Sequence, residues 1–317
     1  MGETLRPLAR SQAIGDHRAM RTTFARRRIA LAAAVLGLVA CVVAIVTGAG
    51  GEGKSPTRPH PRAAAPRPVA PARAPSLVAR ENRAIDSVAR RLPFIVAGGG
   101  ERREVALTFD DGPGPYTDQV LDVLNREHAP ATFFIVGAML RYFRPQLDRE
   151  IQGGFAVGDH TMTHPTLRGR SLDVQLAEIG GDAGLMHEDG AATPRLFRPP
   201  YGLFDRRTLA VLRRRRMLAV LWTVDPRDFT RPGVRAIVHN VMASVKPGAI
   251  VMLHDAGGER SQTIAALPQI IRRLRKRGYE LVTVPRMLVD DPPSRRQQLP
   301  LGVRQALAKP AKATPGA

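Results

Sequence analysis

Cysteine and tryptophan are almost absent from this 317-residue chain, which contains one of each. The lone Cys41 excludes a framework of intramolecular disulfides, with which small secreted domains compensate for a small core. Aromatic residues are only 5% of the chain, but 44% of its residues are hydrophobic, as in ordinary proteins with a large core. The length therefore allows one large folded domain with extensions, or two modest domains.

Acidic residues are also scarce, since 28 Asp and Glu stand against 48 Lys and Arg, a formal net charge of +20. Much of the excess of basic over acidic residues lies towards the two ends of the chain. Residues 1–100 hold 16 basic and 5 acidic residues, and residues 290–317 hold 5 and 2. Nucleic-acid binding requires its basic patch on the folded surface. The pattern therefore predicts no nucleic-acid partner, and favours a location near membranes or anionic polymers.

One long apolar run, "IALAAAVLGLVACVVAIVT" at residues 29–47, holds no charge across 19 positions. This is about the number of residues that crosses a ~30 Å hydrocarbon layer as a helix. The preceding basic segment, residues 1–28, ends in "RRR". By the positive-inside rule we expect a single-pass transmembrane helix in a bacterial cell membrane, with the catalytic part of the chain extracytoplasmic.

Two alternatives exist for this apolar run. A cleaved signal peptide would release a secreted protein. "LVAC" at residues 38–41 also resembles a lipoprotein cleavage box, which would make Cys41 a lipid anchor. The run continues as "VVAIV" beyond Cys41, where lipoproteins usually become polar, and this favours the uncleaved anchor.

The segments around the folded domain differ from it in composition. Residues 48–76 are rich in Pro, Ala and Arg, which predicts an extended, disordered linker. Residues 77–99 predict a short amphipathic helix and a lead-in, and the Pro- and Gln-rich residues 290–317 predict a disordered tail. These boundaries leave residues 100–289 as the folded domain.

Apolar, β-prone runs alternate with helical patterns through residues 100–289, which predicts an α/β fold with a parallel sheet. Seven such units in this length favour a small barrel over an open sheet. The predicted strands are 105–109, 132–137, 155–158, 195–198, 218–224, 249–253 and 281–284. The predicted helices lie near 117–127, 139–152, 172–187, 206–216, 233–244 and 263–277, with Ser171 as an N-cap and Gly278 as a C-terminal stop.

Polar residues suited to catalysis occur at or just after the ends of these strands. They are Asp110 and Asp111 after the first, His160 after the third, Arg198 at the fourth, Asp225 and Asp228 after the fifth and His254 after the sixth. The carboxyl ends of parallel barrel strands form one face, where catalytic groups gather. We therefore expect these residues at one mouth.

The spacing of His160 and His164 in "GDHTMTHP" indicates a metal site. Residues i and i+4 on one helical turn point the same way, and Pro165 predicts one turn rather than a long helix. Two histidines and Asp111 would make a three-ligand set with open positions. The neighbouring Asp110 could then take a proton from water, and His254 could supply one to the leaving group.

Five motifs, "TFDDGP", "HTMTHP", "RPPYG", "VDPRDF" and "VMLHD", occur in the order and approximate spacing of those of the polysaccharide deacetylases, carbohydrate esterase family four. The chain resembles this family over about residues 100–289. The resemblance implies a distorted (β/α)₇ barrel and a hydrolase that removes acetyl groups from sugars. It also implies one divalent metal ion, often zinc.

The resemblance also implies roles for individual residues. The metal ligands would be Asp111, His160 and His164. The catalytic residues would be Asp110 as base, Arg198 holding that base, Tyr201 through its backbone N–H as oxyanion donor, His254 as acid and Asp228 tuning the pKa of His254. The substrate would contact Pro199, Pro200, Tyr201 and Phe229. The chain departs from the pattern at Phe229, where tryptophan is common, and at Met252, where leucine is common.

These expectations combine into a monomeric, membrane-anchored deacetylase of an N-acetylglucosamine polymer, with peptidoglycan favoured by the predicted location. An O-acetyl esterase acting on xylan or another polysaccharide, and a non-catalytic sugar-binding homologue, remain as alternatives. The "RRRR" at residues 213–216 is interpreted as a solvated helix face, with a contact to an anionic polymer as the other interpretation.

Overall fold

The computed structural model describes residues 75–181 and 193–309. The predicted membrane segment at 29–47, Cys41 and nearly all of the linker at 48–76 lie outside these ranges. Among the described residues, none of the helices combines the length and apolar character that crossing a bilayer demands.

A single parallel sheet of eight strands organises the described residues. The strands are β1 (Phe94–Ile95), β2 (Glu104–Asp110), β3 (Thr132–Ile135), β4 (Ala156–Asp159), β5 (Leu196–Phe197), β6 (Leu218–Val220), β7 (Ala249–His254) and β8 (Glu280–Leu281). Their order is β1-β6-β5-β4-β3-β2-β7, and β8 pairs with the start of β2. All seven residues of β2 are buried, as expected for a parallel strand covered on both faces.

The sheet curls, and its two edges meet through isolated bridges. Ala97, just after β1, bridges to Ala249 of β7, and Val224, just after β6, bridges to Val251. The predicted parallel α/β architecture is therefore confirmed. The barrel is incompletely closed, because no continuous strand ladder joins its edges within the described residues. Strand β1, which the sequence analysis placed in a lead-in, extends this sheet beyond the seven predicted strands.

The described residues form nine α-helices, most of which lie between successive strands. They are α1 (Pro75–Ala89), α2 (Thr117–Arg126), α3 (Leu140–Gln152), α4 (Leu172–Glu178), α5 (Arg206–Arg215), α6 (Val234–Ser244), α7 (Ser261–Lys276), α8 (Val284–Asp290) and α9 (Leu301–Ala308). The Ser171 side chain accepts a hydrogen bond from Val174 N, and Gly278 adopts φ +76° just after α7, so both predicted helix boundaries are confirmed.

Two predictions near the C-terminus were wrong. The strand predicted at 281–284 stops at Leu281, because the Thr283 side chain caps α8 and Pro285 lies in its first turn. The tail is not disordered over residues 301–308, which form α9. Val303 is only 4% exposed and joins the apolar cluster that contains Leu221 and Trp222. Burial of that side chain stabilises a helix whose composition alone did not indicate it.

Candidate active site

A cleft of about 970 Å³ opens at the carboxyl ends of the strands. Its walls come from the segments that follow β2, β3, β4, β5, β6 and β7, and from α9. Six of the residues predicted as catalytic or metal-binding lie on these walls together, namely Asp110, Asp111, His160, His164, Tyr201 and His254. The convergence predicted from strand order alone is therefore present.

Asp110 ends β2 and is only 2% exposed. One of its carboxylate oxygens accepts a hydrogen bond from Arg198 Nη1 at 2.6 Å. This pair fixes the orientation of the carboxylate at the floor of the cleft.

Arg198 lies directly after β5 and is fully buried. Its Nη1 also donates to Thr108 Oγ1 at 2.8 Å, its Nε donates to Val220 O at 3.1 Å, and its Nη2 donates to Leu221 O at 3.2 Å. The guanidinium carbon also lies 4.1 Å from the Phe134 ring centroid. A buried cation is tolerated when it is paired and hydrogen-bonded in this way, and losing its one charged partner is costly.

Asp111, His160 and His164 form a possible metal-binding triad. The donor atoms of the three side chains lie within 4.8 Å of one another. An Asp111 oxygen is 3.6 Å from His160 Nε2 and 3.2 Å from His164 Nε2. Such separations suit ligands that each lie about 2 Å from one central ion.

The expected helical turn at His160–His164 is wrong. Residues 160–165 form a loop in which Thr161 and His164 adopt left-handed φ values of 72° and 59°. Asp159 and Thr161 support this loop, since Thr161 N donates to Asp159 Oδ1 at 2.6 Å and His164 N donates to Thr161 Oγ1 at 2.9 Å. The loop brings the two rings to a centroid distance of 4.8 Å.

The hydrogen bonding of His160 fits a metal ligand. Its Nδ1 lies 2.7 Å from the Arg198 carbonyl oxygen, a partner that can only accept, so the hydrogen is on Nδ1. Burial acts to lower the pKa of His160, but the neighbouring Asp111 and Asp110 raise it; once the ring is neutral, its lone pair is on Nε2, the nitrogen that faces Asp111. A histidine held by a carbonyl through its distal nitrogen is the usual arrangement at protein metal sites.

The electrostatics of the triad favour an anionic Asp111. Burial acts to raise the pKa of Asp111, but hydrogen bonding to His160 and the nearby imidazoles outweigh it and lower the pKa to about 2. Burial and the neighbouring His160 lower the pKa of His164, which favours its neutral, ligating form. The donor set is thus two imidazoles and one carboxylate, which suits Zn²⁺ and similar divalent ions.

His254 lies at the end of β7, beside the triad in the same cleft. Its Nδ1 is 2.7 Å from Asp228 Oδ1, and its backbone N donates to Asp228 Oδ2 at 2.9 Å. Thr263 Oγ1 donates to the same Asp228 oxygen at 2.8 Å. Burial acts to lower the pKa of His254, but the hydrogen bond and charge of Asp228 dominate and raise it to about 9. His254 is therefore protonated at neutral pH.

The predicted substrate-contacting residues are distributed unevenly. Tyr201 and Phe229 line the cleft and are 60% and 45% exposed, so both present rings to solvent. The Tyr201 ring lies 5.0 Å from that of His164, and the Phe229 ring lies 5.5 Å from that of His254. Pro199 also lines the cleft, whereas Pro200 is buried and is not part of its wall.

Sequence reasoning missed two contributions to the site. Asp255, the last letter of "VMLHD", is fully buried, and its backbone N donates to Asp110 O at 3.3 Å. Its carboxylate accepts from Thr117 Oγ1 and lies so close to Gly112 that any side chain there would overlap it. A third carboxyl group, that of Asp255, therefore lies next to the segment that carries Asp110 and Asp111. The position of Asp255 directly after His254 was the one feature of the sequence that could have indicated this.

The second missed contribution is α9, whose residues Leu301 and Val303 line the cleft. Leu301 is 61% exposed although it is a large apolar side chain. No signal in the tail sequence indicated that Val303 would pack against Gly202, in the segment after β5.

Comparisons with known proteins agree with this geometry. A family model described as polysaccharide deacetylase matches residues 97–220. A chitooligosaccharide deacetylase of Bradyrhizobium sp. is 41% identical over 198 residues, which cover 58% of this chain and 90% of that protein. A peptidoglycan-N-acetylglucosamine deacetylase of Bacillus cereus is 41% identical over 187 residues, 58% of this chain and 87% of that protein.

A solved structure is similar to this chain in fold as well as in sequence. The crystal structure of a peptidoglycan N-acetylglucosamine deacetylase bound to a naphthyl-substituted N-hydroxybenzamide superposes with a TM-score of 0.62 at 29% identity. The match covers 66% of this chain and 98% of that structure. With the curled parallel sheet and the Asp-His-His triad, these relationships show that the chain belongs to the polysaccharide deacetylase family, carbohydrate esterase family four.

Proposed function

We propose that this protein hydrolyses the N-acetyl group of N-acetylglucosamine residues in a cell-envelope polysaccharide, with peptidoglycan as the first candidate. The observation that carries the proposal is the cleft itself. It joins a metal-binding triad, an aspartate held by a buried arginine and a histidine protonated at neutral pH. Amide hydrolysis needs these three functions: an electrophilic site, a base and an acid.

One divalent ion, for which zinc is our candidate, would be held by Asp111 and by the Nε2 atoms of His160 and His164. When bound, such an ion polarises a carbonyl group and lowers the pKa of water. This site would be open to substrate on one side, because the cleft extends past the triad towards Tyr201 and Phe229.

Asp110 would accept a proton from the attacking water molecule. The Arg198 guanidinium donates to one oxygen of this carboxylate and holds it in place. The backbone N–H of Tyr201, which has φ 61°, would donate to the developing oxyanion.

His254 would donate its Nε2 proton to the departing amine. Its Nδ1–H is committed to Asp228, so Nε2 is the nitrogen left to act as acid. Loss of that proton leaves a neutral imidazole that still donates to Asp228, and the ring keeps its orientation through the step.

The proposed substrate is supported by two further considerations. The relatives named above are a chitooligosaccharide deacetylase and a peptidoglycan-N-acetylglucosamine deacetylase, so both names give a saccharide as the substrate and one of them gives N-acetylglucosamine. The apolar run at residues 29–47, proposed as a membrane anchor, would keep the enzyme beside its own envelope and so favours peptidoglycan.

Acetate release from three substrates tests the proposal. The full chain, loaded with a divalent ion, is incubated with peptidoglycan, with N-acetylated chitooligosaccharides and with O-acetylated xylan. We expect acetate from the first two and far less from the third. Faster release from xylan would favour an O-acetyl esterase. Sugar binding without acetate release from any substrate would instead favour a non-catalytic homologue.

A further inference from the structure

A second cavity, of about 710 Å³, lies between α1 and α5. Helix α1 ends just before β1, and α5 ends just before β6. Strands β1 and β6 pair in parallel, so the ends of the two helices meet at the amino ends of the strands. The catalytic residues follow the carboxyl ends, so this cavity lies at the opposite end of the sheet from the active site. We call it the arginine groove.

Four arginines line the arginine groove: Arg90 and Arg91 directly after α1, Arg213 in the last turn of α5, and Arg216 directly after α5. All four are exposed. The one carboxylate among the lining residues, Asp86, is engaged by Arg195. Within residues 75–181 and 193–309, no acidic side chain pairs with any of the four.

The remaining lining is largely apolar and includes Leu92, Leu209, Leu212 and Met217. Apolar surface next to a cation lowers the local dielectric constant, which strengthens both repulsion among the arginines and attraction for an anion. The methylene stems of arginine can pack on such a surface while the guanidinium groups remain free to bind.

Helix capping does not account for four arginines here. A cation in the last turn interacts favourably with the helix dipole and stabilises the helix by a few tenths to about 1 kcal/mol. One such residue per helix is enough for this effect. Arg216 is also the C-cap of α5 in a left-handed conformation, φ 54°, which glycine adopts without strain. A long cationic side chain thus occupies a position where glycine would be less strained.

We propose that the arginine groove is a binding site for a linear polymer that carries phosphate groups. Arginine binds phosphate through two parallel hydrogen bonds, and several guanidinium groups along one groove match successive anionic groups of a chain. A concave site also fits a polymer strand better than the flat surface of a bilayer. Because it lies at the other end of the sheet, such binding leaves the catalytic cleft open, and it does not depend on the reaction proposed above.

Binding of fluorescently labelled linear inorganic polyphosphate to the detergent-solubilised full chain tests the site. The groove variant combines Arg90→Gln, Arg213→Gln and Arg216→Gln. A control variant removes the same charge from three other exposed helix-end cations, Arg126→Gln, Arg273→Gln and Lys276→Gln. We expect about tenfold weaker binding by the groove variant than by the control, and a salt dependence reduced by about one phosphate contact per lost arginine.

A second measurement needs only the wild-type protein. Phenylglyoxal modifies accessible arginines, and polyphosphate should protect Arg90, Arg213 and Arg216 from it, as read by peptide mass spectrometry. Equal weakening in the groove and control variants, or no selective protection, would overturn the proposal. So would stronger competition, per phosphate, from micelles containing phosphatidylglycerol, because that result assigns the groove to a lipid surface. Acetate release from a short chitooligosaccharide should be the same in both variants, which separates failure of this site from failure of the catalytic proposal.

Discussion

At the residue scale, Arg198 connects the parts of the site. Its guanidinium holds Asp110, and its carbonyl oxygen accepts from His160, so one residue orients both the proposed base and a proposed metal ligand. It does so from a fully buried position, where its charge is compensated by Asp110 alone among the hydrogen-bond partners of its side chain.

The first residue-scale prediction separates catalysis from metal binding. Asp110→Asn should lower kcat by about 10²–10⁴-fold, since a neutral amide cannot accept the proton. Metal content, measured by mass spectrometry of the purified protein, should be unchanged because the triad is intact. A variant that keeps wild-type kcat would refute the role of Asp110 as base. Because Asn leaves Arg198 without its counter-charge, circular dichroism must first show that the variant is folded.

The second concerns Asp228, whose hydrogen bond and charge raise the pKa of His254 to about 9. An acid is active while protonated, so activity should fall as the pH rises through the pKa of His254. Asp228→Asn removes the charge and should move this alkaline limb of the kcat profile to lower pH. An unchanged limb in this variant would show that another group titrates there.

At the element scale, short loops and helix ends determine where the side chains lie. The segment 160–165 positions both histidines through left-handed residues and through backbone N–H groups that donate to the side chains of Asp159 and Thr161, where a helical turn was expected. Four-residue spacing is compatible with either conformation, so the sequence predicted that the two histidines act together without giving the backbone that joins them.

Helix α5 offers an element-scale stability prediction. Asp205 Oδ1 accepts from the backbone N–H groups of Arg207 at 2.9 Å and Thr208 at 3.1 Å, and Thr208 Oγ1 completes a capping box. Asp205→Ala should lower the free energy of unfolding by about 1–2 kcal/mol, measured by urea denaturation. Asp205→Asn should lose less, since Asn also caps helices, although its amide nitrogen cannot accept the hydrogen bond that Gly169 N donates to Oδ2 at 3.0 Å. Equal losses in both variants would assign the effect to the charge instead.

Helix α9 gives a prediction about substrate affinity. A chain that ends at residue 299 lacks Leu301 and Val303 on the cleft wall. We expect KM for a chitooligosaccharide to rise about threefold to tenfold, the effect of losing one apolar side chain from a contact, with kcat changed much less. Leu301→Ala in the full-length chain should reproduce part of the rise. A KM equal to that of the full chain would show that α9 makes no contact with substrate.

At the scale of the whole molecule, the parallel sheet gathers the site at one end and the arginine groove at the other. The proposed metal would tie the segment after β2 directly to the segment after β4, two strands that β3 separates in the sheet. Adding a divalent ion to chelator-treated protein should therefore raise Tm, by an amount that grows with ion concentration. His164→Ala should abolish this rise in calorimetry, whereas Asp110→Asn should retain it. A rise of the same size in His164→Ala would place the ion elsewhere.

The sequence determined the alternation of strands and helices, because the spacing of apolar residues and the positions of turn residues are local features that can be recognised in one sequence. It also determined that Asp110, Asp111, His160 and His254 meet, since parallel strands bring their carboxyl ends to one edge. Only the tertiary structure decided that Asp255 lies beneath the doubled aspartates, that α9 closes one wall of the cleft, and that arginines of α1 and α5 share a groove. Each of these depends on contacts between segments far apart in the chain, whose free energy comes from burial and hydrogen bonding that no local pattern encodes.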